Sequence, residues 1–336
     1  MHPILEYGCI VVGLGIGYQT GGYLGTALII SSVLSLVYNY MQGGWCSSKA
    51  RLDGKTVVIT GCNTGIGKIT ALDLSKRGAK VVMLCRDTNK ANIAAAEIRE
   101  QTRGEVTVES CNLASLKTIS DCVDRLNKSL DKVDILINNA GVAMCPLSRT
   151  EEGFEMQMGT NHFGHFYLTH LLLPLIKKAA PGARIVNVSS LAHKKAKIYF
   201  DDINWEKTPY DSMKAYGQSK LANILFTREL AERLEGSGVT VHCLHPGVIA
   251  TELGRHIKDY LGIFSVILLP MRPFIKTPES GAQTTIFCAV DESIREETGK
   301  YYADCREAAT CPVALSNQED QRKLWILSEQ LTGLTK

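Results

Sequence analysis

The sequence predicts a doubly wound α/β sheet, Rossmann-like with about seven strands, preceded by an N-terminal membrane helix. Three observations carry that expectation. After Asp53-Gly54, short β-branched runs alternate with longer helical patterns, the rhythm of parallel strands joined by crossover helices. A glycine-rich turn, Thr60-Gly61-Cys62-Asn63-Thr64-Gly65-Ile66-Gly67, separates the first such strand from the first such helix. Residues 7–48 carry no charged side chain, so that stretch differs in kind from the rest of the chain.

Gly21 to Val37 is almost wholly apolar, and a bilayer-crossing helix needs about 20 such residues, a length reached if the helix starts near Cys9 or Leu14. No basic region precedes the apolar run and no clear small-residue cleavage site comes after it, which argues against a removable signal peptide. Glycines at 13, 15, 17, 21, 22 and 25, with Gln19 and Thr20, mark either close helix packing or a break between two shorter hydrophobic pieces. Residues 1–48 are therefore expected to be a membrane anchor. Glu6 lies before the span and Lys49, Arg51 and Lys55 after it, a bias that puts the remaining chain in the cytosol. Glycan on the sequon Asn127-Lys128-Ser129 would report the opposite, lumenal side.

Residues 49–336 are expected to form a single domain, because no Pro/Ser-rich linker or low-complexity tract interrupts residues 54–336. Strands are expected over 56–60, 80–85, 106–110, 133–138, 183–189, 239–245 and, briefly, 300–302. Helices are expected over 66–77, 89–101, 116–130, 153–178, 215–235 and 279–290. Near-continuous apolar runs such as Val57-Val58-Ile59 and Ile135-Leu136-Ile137 suit strands covered on both faces. In such sheets ligands bind beyond the carboxyl ends of the strands, at the switch in strand order. Gly61, Asn139-Ala140-Gly141, Ser189-Ser190 and Pro246-Gly247 each come directly after an expected strand, at that end, so they point to one shared site.

The chemistry is carried by Tyr216 and Lys220. Four residues apart on an expected helix, they share one face, and an ammonium beside a phenol favours its deprotonated form. A tyrosine near its ordinary pKa of about 10 is a poor proton carrier at neutral pH, so proton transfer needs such a neighbour. With the glycine turn upstream, the pair indicates a nicotinamide-dependent oxidoreductase. Gly61, Gly65 and Gly67 are spaced G-x-x-x-G-x-G, unlike the usual G-x-G-x-x-G, but serve the same need: a sharp turn, close approach of backbone to a pyrophosphate, and a helix N-terminus facing its charge. The second strand ends in Cys85-Arg86, which offers a guanidinium to a 2′-phosphate, with Lys68 as a second cation, and this favours NADP(H). One residue of slippage would present Asp87 to a ribose hydroxyl instead.

The 336-residue chain has a formal charge of +3 without long basic runs, so nucleic acid is not an expected partner. Eleven cysteines without a C-x-x-C pair argue against a disulfide framework or a zinc site and for buried thiols in a reducing compartment. His162, His165, His193 and His245 lack a consistent metal-ligand spacing, and no metal is expected.

These landmarks resemble the short-chain dehydrogenase/reductase superfamily over residues 54–336. The likeness rests on Thr60 to Gly67, Asn138-Asn139-Ala140-Gly141, Asn161, Asn187-Val188-Ser189-Ser190, Tyr216 to Lys220 and His245-Pro246-Gly247. Thr64-Gly65-Ile66-Gly67-Lys68, Leu84-Cys85-Arg86-Asp87, Asn161 to Phe166, Val188 to His193 and Ser219 to Asn223 are similar, more narrowly, to the microsomal retinol dehydrogenase/retinal reductase group. That resemblance implies an N-terminal membrane segment, an NADP(H) preference, an endoplasmic reticulum or alternatively a mitochondrial membrane, and common dimerisation. It implies that Tyr216 exchanges a proton with the substrate oxygen, that Lys220 lowers its pKa and bonds the nicotinamide ribose, that Ser190 rather than Ser189 stabilises the developing alkoxide, and that Asn161 holds a water linking Lys220 to solvent. It further implies cofactor contacts from Gly61, Asn63, Thr64, Gly65, Ile66, Gly67, Arg86, Asn112, Leu113, Asn139, Ala140, Gly141, Pro246 and Gly247. Asn112 stands where the superfamily commonly has aspartate, and its amide brings hydrogen-bonding capacity without charge.

The segment 261–273 holds Phe264, Val266, Ile267, Leu268 and Leu269 where the superfamily's substrate loop lies, so it is expected to cover a lipophilic alcohol or carbonyl. All-trans-retinal leads by resemblance. Steroid, fatty-aldehyde and isoprenoid carbonyls remain alternatives, and a non-catalytic NADP(H)-binding adaptor is the alternative from a different class.

Overall fold

The computed structural model describes residues 22–249, 275–311 and 318–335. The described chain opens with helix α1 (Gly22–Gln42). Strands and helices then alternate: β1 (Thr56–Thr60), α2 (Gly65–Lys76), β2 (Lys80–Cys85), α3 (Thr88–Thr102), β3 (Val106–Ser110), α4 (Leu116–Ser129) and β4 (Ile135–Asn138). After β4 come α5 (Gly164–Lys177), β5 (Ala183–Val188), α6 (Ser212–Arg233), β6 (Val239–Leu244), α7 (Pro278–Val290), β7 (Lys300–Ala303), β8 (Arg306–Glu307) and α8 (Gln318–Leu331).

The eight strands form one sheet in the order β3-β2-β1-β4-β5-β6-β7-β8. All neighbours are parallel except β7 and β8. Every residue of β4 and β5 is buried, as strands covered on both faces must be. One face packs Leu74 of α2, Ile98 of α3 and Ile286 of α7 over Val57, Ile59 and Met83. The other packs Leu126 of α4, Leu172 of α5 and Phe226 of α6 over Val58, Leu136 and Ile185. Strand order reverses between β1 and β4, so a crevice opens beyond their carboxyl ends.

Six of the seven expected strands begin and end within one residue of their expected limits, and β4 starts two residues late. Three elements differ more. The eighth strand is a two-residue antiparallel edge closed by Asp304 and Cys305, both at positive φ, a tight turn built without the Asn-Gly or Asp-Gly signal that marks most of its kind. The helix expected over 153–178 is interrupted: a turn at Met156–Met158 runs into a π-helical segment, Gly159–Phe163, before α5. Such widened turns concentrate at functional positions. Helix α8 was not expected from sequence; its Trp325 lies 4.9 Å from the Phe166 ring and over Arg233.

Among the described residues no helix is long and apolar enough to cross a membrane. The start of the expected span near Cys9 or Leu14, and the apolar segment 261–273, lie outside the described residues. Helix α1 exposes Ile30, Val33, Leu34 and Tyr40 to solvent, while its last residue is fastened to the body. The Gln42 amide donates to the Ile275 carbonyl (3.3 Å) and accepts from the Thr277 N–H (2.9 Å), and the Gln42 carbonyl accepts from Ser280 Oγ (2.7 Å).

Candidate active site

The glycine turn is held open from the inside. Gly61 and Gly65 adopt φ of 62° and 56°, a region open to glycine and costly for other residues. At Gly67 a Cβ would lie 2.5 Å from both Asn139 Nδ2 and the Gly61 carbonyl, so only glycine lets α2 start this close to the turn. Asn139 Nδ2 donates to the carbonyls of Thr60 (2.9 Å) and Gly61 (3.0 Å), tying the end of β4 to the end of β1. Thr60 Oγ1 completes the tie by accepting from the N–H groups of Asn139 and Ala140. His165 Nδ1 faces the Asn161 carbonyl at 3.0 Å and so carries the proton; its bare Nε2 then receives the Thr60 hydroxyl at 2.9 Å. Burial keeps this imidazole neutral, its pKa lowered to about 4, as that tautomer requires.

A cleft of about 310 Å³ lies across the carboxyl ends of the strands. It gathers Gly61, Asn63, Thr64 and Ile66 from the turn, Arg86 after β2, Asn112 and Leu113 after β3, and Asn139, Ala140 and Gly141 after β4. Ser190, Tyr216, Lys220, Pro246 and Gly247 complete it from β5, α6 and β6. Gly65, Gly67 and Asn161 do not line it: the two glycines shape the turn, and Asn161 stands behind Gly141. A separate cavity of about 560 Å³ lies behind β6 and β7, beside Ile224, Thr227 and Tyr301, and shares none of these residues.

Along this cleft the charges are unevenly committed. Arg86 is exposed and makes no ion pair or hydrogen bond among the described residues. Asp87, by contrast, caps α3, its carboxylate accepting from the Lys90 N–H at 3.1 Å. Lys68, expected as a second cation, is ion-paired with Glu97 and does not line the cleft. Lys90 does, because the first turn of α3 brings it back beside Arg86. Thr64 makes no side-chain cap at α2, so no cap competes for the first-turn N–H groups, and Thr64 and Ile66 bring this helix end to the cleft, a place suited to an anion.

At the other end Tyr216 and Lys220 ride on α6, capped by Asp211, whose carboxylate accepts from the N–H groups of Met213 and Lys214. Both are buried, with 7% and 3% of their surface exposed. Lys220 Nζ donates to the Val188 carbonyl at 3.1 Å and stands 5.8 Å from the centre of the Tyr216 ring. Burial, opposed only by weaker attraction from Cys243, lowers its pKa to about 8. Burial raises that of Tyr216, against a hydrogen bond with Ser190 that works the other way. Desolvation is thus the larger influence on the Tyr216 phenol, and Lys220, 5.8 Å from the centre of its ring, uses one of three N–H donors on the Val188 carbonyl.

Ser189 and Ser190 are separated by their partners. Ser189 Oγ donates to the Lys220 carbonyl at 2.7 Å and so holds α6 against β5, whereas Ser190 reaches Tyr216 and accepts from the Ala192 N–H at 3.2 Å. Asn161 pairs with one backbone unit: Oδ1 accepts from Val142 N–H (2.8 Å) and Nδ2 donates to the Val142 carbonyl (2.9 Å) and to Ser219 Oγ (2.9 Å). A Cβ at Gly141 would lie 3.2 Å from Asn161 Oδ1 and 3.4 Å from Lys220 Nζ, so amide and ammonium converge behind that glycine. Sequence reasoning missed Lys90, Thr60 and the role of His165; only the spacing of Lys90 one helical turn past Arg86 was available as a signal.

The model of the short chain dehydrogenase family matches residues 55–261, from the start of β1 onward. The chain belongs to the short-chain dehydrogenase family. This short-chain dehydrogenase is 49% identical over 304 residues to retinol dehydrogenase 13 of Mus musculus, a match covering 89% of this chain and 90% of the relative. Among solved structures, it is similar to an uncharacterised protein from Mycobacterium paratuberculosis at a TM-score of 0.69 and 34% identity, over 87% of this chain and 98% of that one. It is also similar to the RhlG/NADP active-site complex of Pseudomonas aeruginosa at a TM-score of 0.60 and 26% identity, over 75% of this chain and 94% of that one.

Proposed function

We propose that this short-chain dehydrogenase interconverts retinol and retinal with NADP(H), residues 49–336 forming the catalytic domain and residues 1–48 anchoring it to a membrane. The single observation that carries the reading is the union, in one cleft, of Ser190, Tyr216 and Lys220 at one end with the uncommitted guanidinium of Arg86 at the other. The carboxyl ends of β2 and β5 are three strand spacings apart, roughly 14 Å at about 4.8 Å each, a span suited to an extended dinucleotide. The donor set fits NADP(H): free N–H groups at α2 for the pyrophosphate, Arg86 and Lys90 for the 2′-phosphate, and the Asn112 amide for the adenine edge. Asp87 also lines the cleft, but one of its oxygens caps α3 and the other lies 4.0 Å from Lys90 Nζ, so this end of the cleft carries net positive charge, which favours the 2′-phosphate. Relatives named retinol dehydrogenase, nearly half identical along most of the chain, support the substrate class.

Held by these residues, NADPH would supply a hydride for the carbonyl carbon. Ser190 donates a hydrogen bond to the carbonyl oxygen as negative charge develops there, and Tyr216 delivers the phenolic proton to the same oxygen. Lys220, buried and held at the Val188 carbonyl, places positive charge beside the phenolate that remains. Asn161 holds the Val142 turn and Ser219, so the wall behind Lys220 stays fixed, and with Lys220 it forms a polar spot suited to a water. An uncharged run over residues 7–48, followed by Lys49, Arg51 and Lys55, supports a membrane anchor with the catalytic domain on the cytosolic side, in the endoplasmic reticulum or, alternatively, a mitochondrial membrane.

The test is oxidation of NADPH by the purified full-length chain in detergent, with all-trans-retinal set against steroid, fatty-aldehyde and isoprenoid carbonyls. Retinal should be preferred, and Tyr216→Phe should lose turnover while still binding NADPH. Turnover retained in Tyr216→Phe, or no carbonyl reduced at all, refutes the reading.

A further inference from the structure

Behind Ser190 lies a buried aromatic cluster that the chemistry above leaves unused. His193 is wholly buried one turn after Ser190, and its Nδ1 approaches the Ser190 carbonyl at 2.6 Å. Tyr301 on β7 brings its hydroxyl 3.4 Å from that Nδ1 and 2.8 Å from Nδ1 of His245, the residue that leads into Pro246-Gly247. The Tyr301 and His245 rings stack at 5.6 Å and 18°, and the His193 ring meets Tyr301 edge-on at 5.1 Å. The segments that follow β5 and β6 thus meet in one network on Tyr301, the second residue of β7.

The Ser190 carbonyl only accepts, so His193 Nδ1 carries hydrogen and donates to it, with a weaker branch to Tyr301 Oη. Tyr301 has one hydrogen, and since His193 Nδ1 has no free lone pair, that hydrogen goes to His245 Nδ1. His245 is then protonated at Nε2. Burial keeps both imidazoles neutral, lowering His193 and bringing His245 to about 4, so the arrangement holds through the neutral range. His193 Nε2 is left as a buried acceptor without a partner among the described residues. A phenyl ring would pack there without that cost, and the donor at Nδ1 is what the imidazole adds.

We propose that His193, Tyr301 and His245 are positioning residues that orient the Ser190 hydroxyl toward the reacting oxygen, with Tyr301 as the joint between the Ser190 loop and the Pro246-Gly247 wall. The proposal rests on Ser190 being the group that hydrogen-bonds that oxygen. Because the bond from Ser190 strengthens as the oxygen gains charge, losing its aim lowers kcat and kcat/KM together rather than raising KM.

Tyr301→Phe keeps the ring and its stacking and removes only the hydroxyl. It should lower kcat about 3- to 10-fold, the range of one net hydrogen bond, with a modest fall in Tm because His245 Nδ1 loses its donor, a smaller change in the NADPH dissociation constant than in kcat, and a larger isotope effect from deuterated NADPH. Ser190→Ala/Tyr301→Phe should be no slower than Ser190→Ala alone, since Tyr301 acts through Ser190. His193→Asn, which retains a donor, should keep more activity than His193→Leu, and this pair decides the matter if Tyr301→Phe fails to fold. Turnover lost in Ser190→Ala but wild-type in Tyr301→Phe, or effects that multiply in the double variant, overturns the positioning role alone. Turnover retained in Ser190→Ala overturns the reading of Ser190 and this role with it.

Discussion

Replacing Arg86 with alanine probes cofactor choice at the residue where the structure leaves a charge uncommitted. Arg86 comes directly after β2, lines the cleft and makes no ion pair among the described residues, so removing it breaks nothing within the fold. A hydrogen bond to a charged group contributes about 1.5–3 kcal/mol, and because Arg86 is exposed the lower end applies, which is about tenfold in affinity. Arg86→Ala should therefore raise KM for NADPH about tenfold and leave kcat unchanged, since Ser190 sits roughly 14 Å along the sheet. NADH, which has no 2′-phosphate, should be used as before. The assay is kcat/KM for each nucleotide with one saturating carbonyl. An unchanged NADPH-to-NADH ratio, or a fall in kcat with both nucleotides, would refute the assignment of the 2′-phosphate to Arg86.

Lys220 should leave a signature in the pH dependence of stability. Its folded pKa of about 8 lies below its ordinary 10.5, so the folded state resists its protonation: the destabilisation is complete below about 8 and is relieved as pH rises from there toward 10.5. The Tm advantage of Lys220→Met over wild type, measured without cofactor, should accordingly shrink between pH 7 and 10; a constant difference contradicts it. Gly67→Ala puts a methyl 2.5 Å from Asn139 Nδ2 and an immovable carbonyl, and should weaken NADPH binding about tenfold or more through loss of the two Asn139 bonds, read by fluorescence titration. Gln42→Ala removes two bonds between α1 and the body, each worth about 0.5–1.5 kcal/mol, and should speed proteolysis at Gly43-Gly44 without altering kcat toward a soluble carbonyl.

Local apolar patterning made the sheet legible because central strands of a covered sheet read as unbroken runs, and the residues just past their carboxyl ends cluster for topological reasons alone. What was hidden needs distance or direction. The π-helical segment has no compositional mark; it exists because Asn161 must meet the Val142 backbone from behind Gly141. Helix α8 buries Gln321 and Ser328 beside Leu324 and Trp325, so half of its inward face is polar and its periodicity is weak. Lys68 and Lys90 are equally basic in sequence, and only the packing of α2 against α3 decides that the first meets Glu97 while the second reaches the cleft. His193, Tyr301 and His245 are separated by 52 residues or more, with no local pattern to join them.

The heavy use of neutral buried imidazoles and amides at this site has a topological cause. A cleft formed where strands end has no side-chain ladder of its own, so each loop must be fixed to its neighbour by a directional bond. Thr60 and Asn139 join β1 to β4, Ser189 joins β5 to α6, and Tyr301 joins β6 to β7. Charged residues in those places would carry a desolvation penalty of several kcal/mol and would compete with a phosphate-bearing ligand for the same field. Histidines lowered to about 4 by burial avoid both, since they offer one donor and one acceptor with fixed identity across the neutral range. The buried ammonium of this site is then Lys220, and its pKa, lowered to about 8 by burial, reflects the cost of keeping a charge in that place.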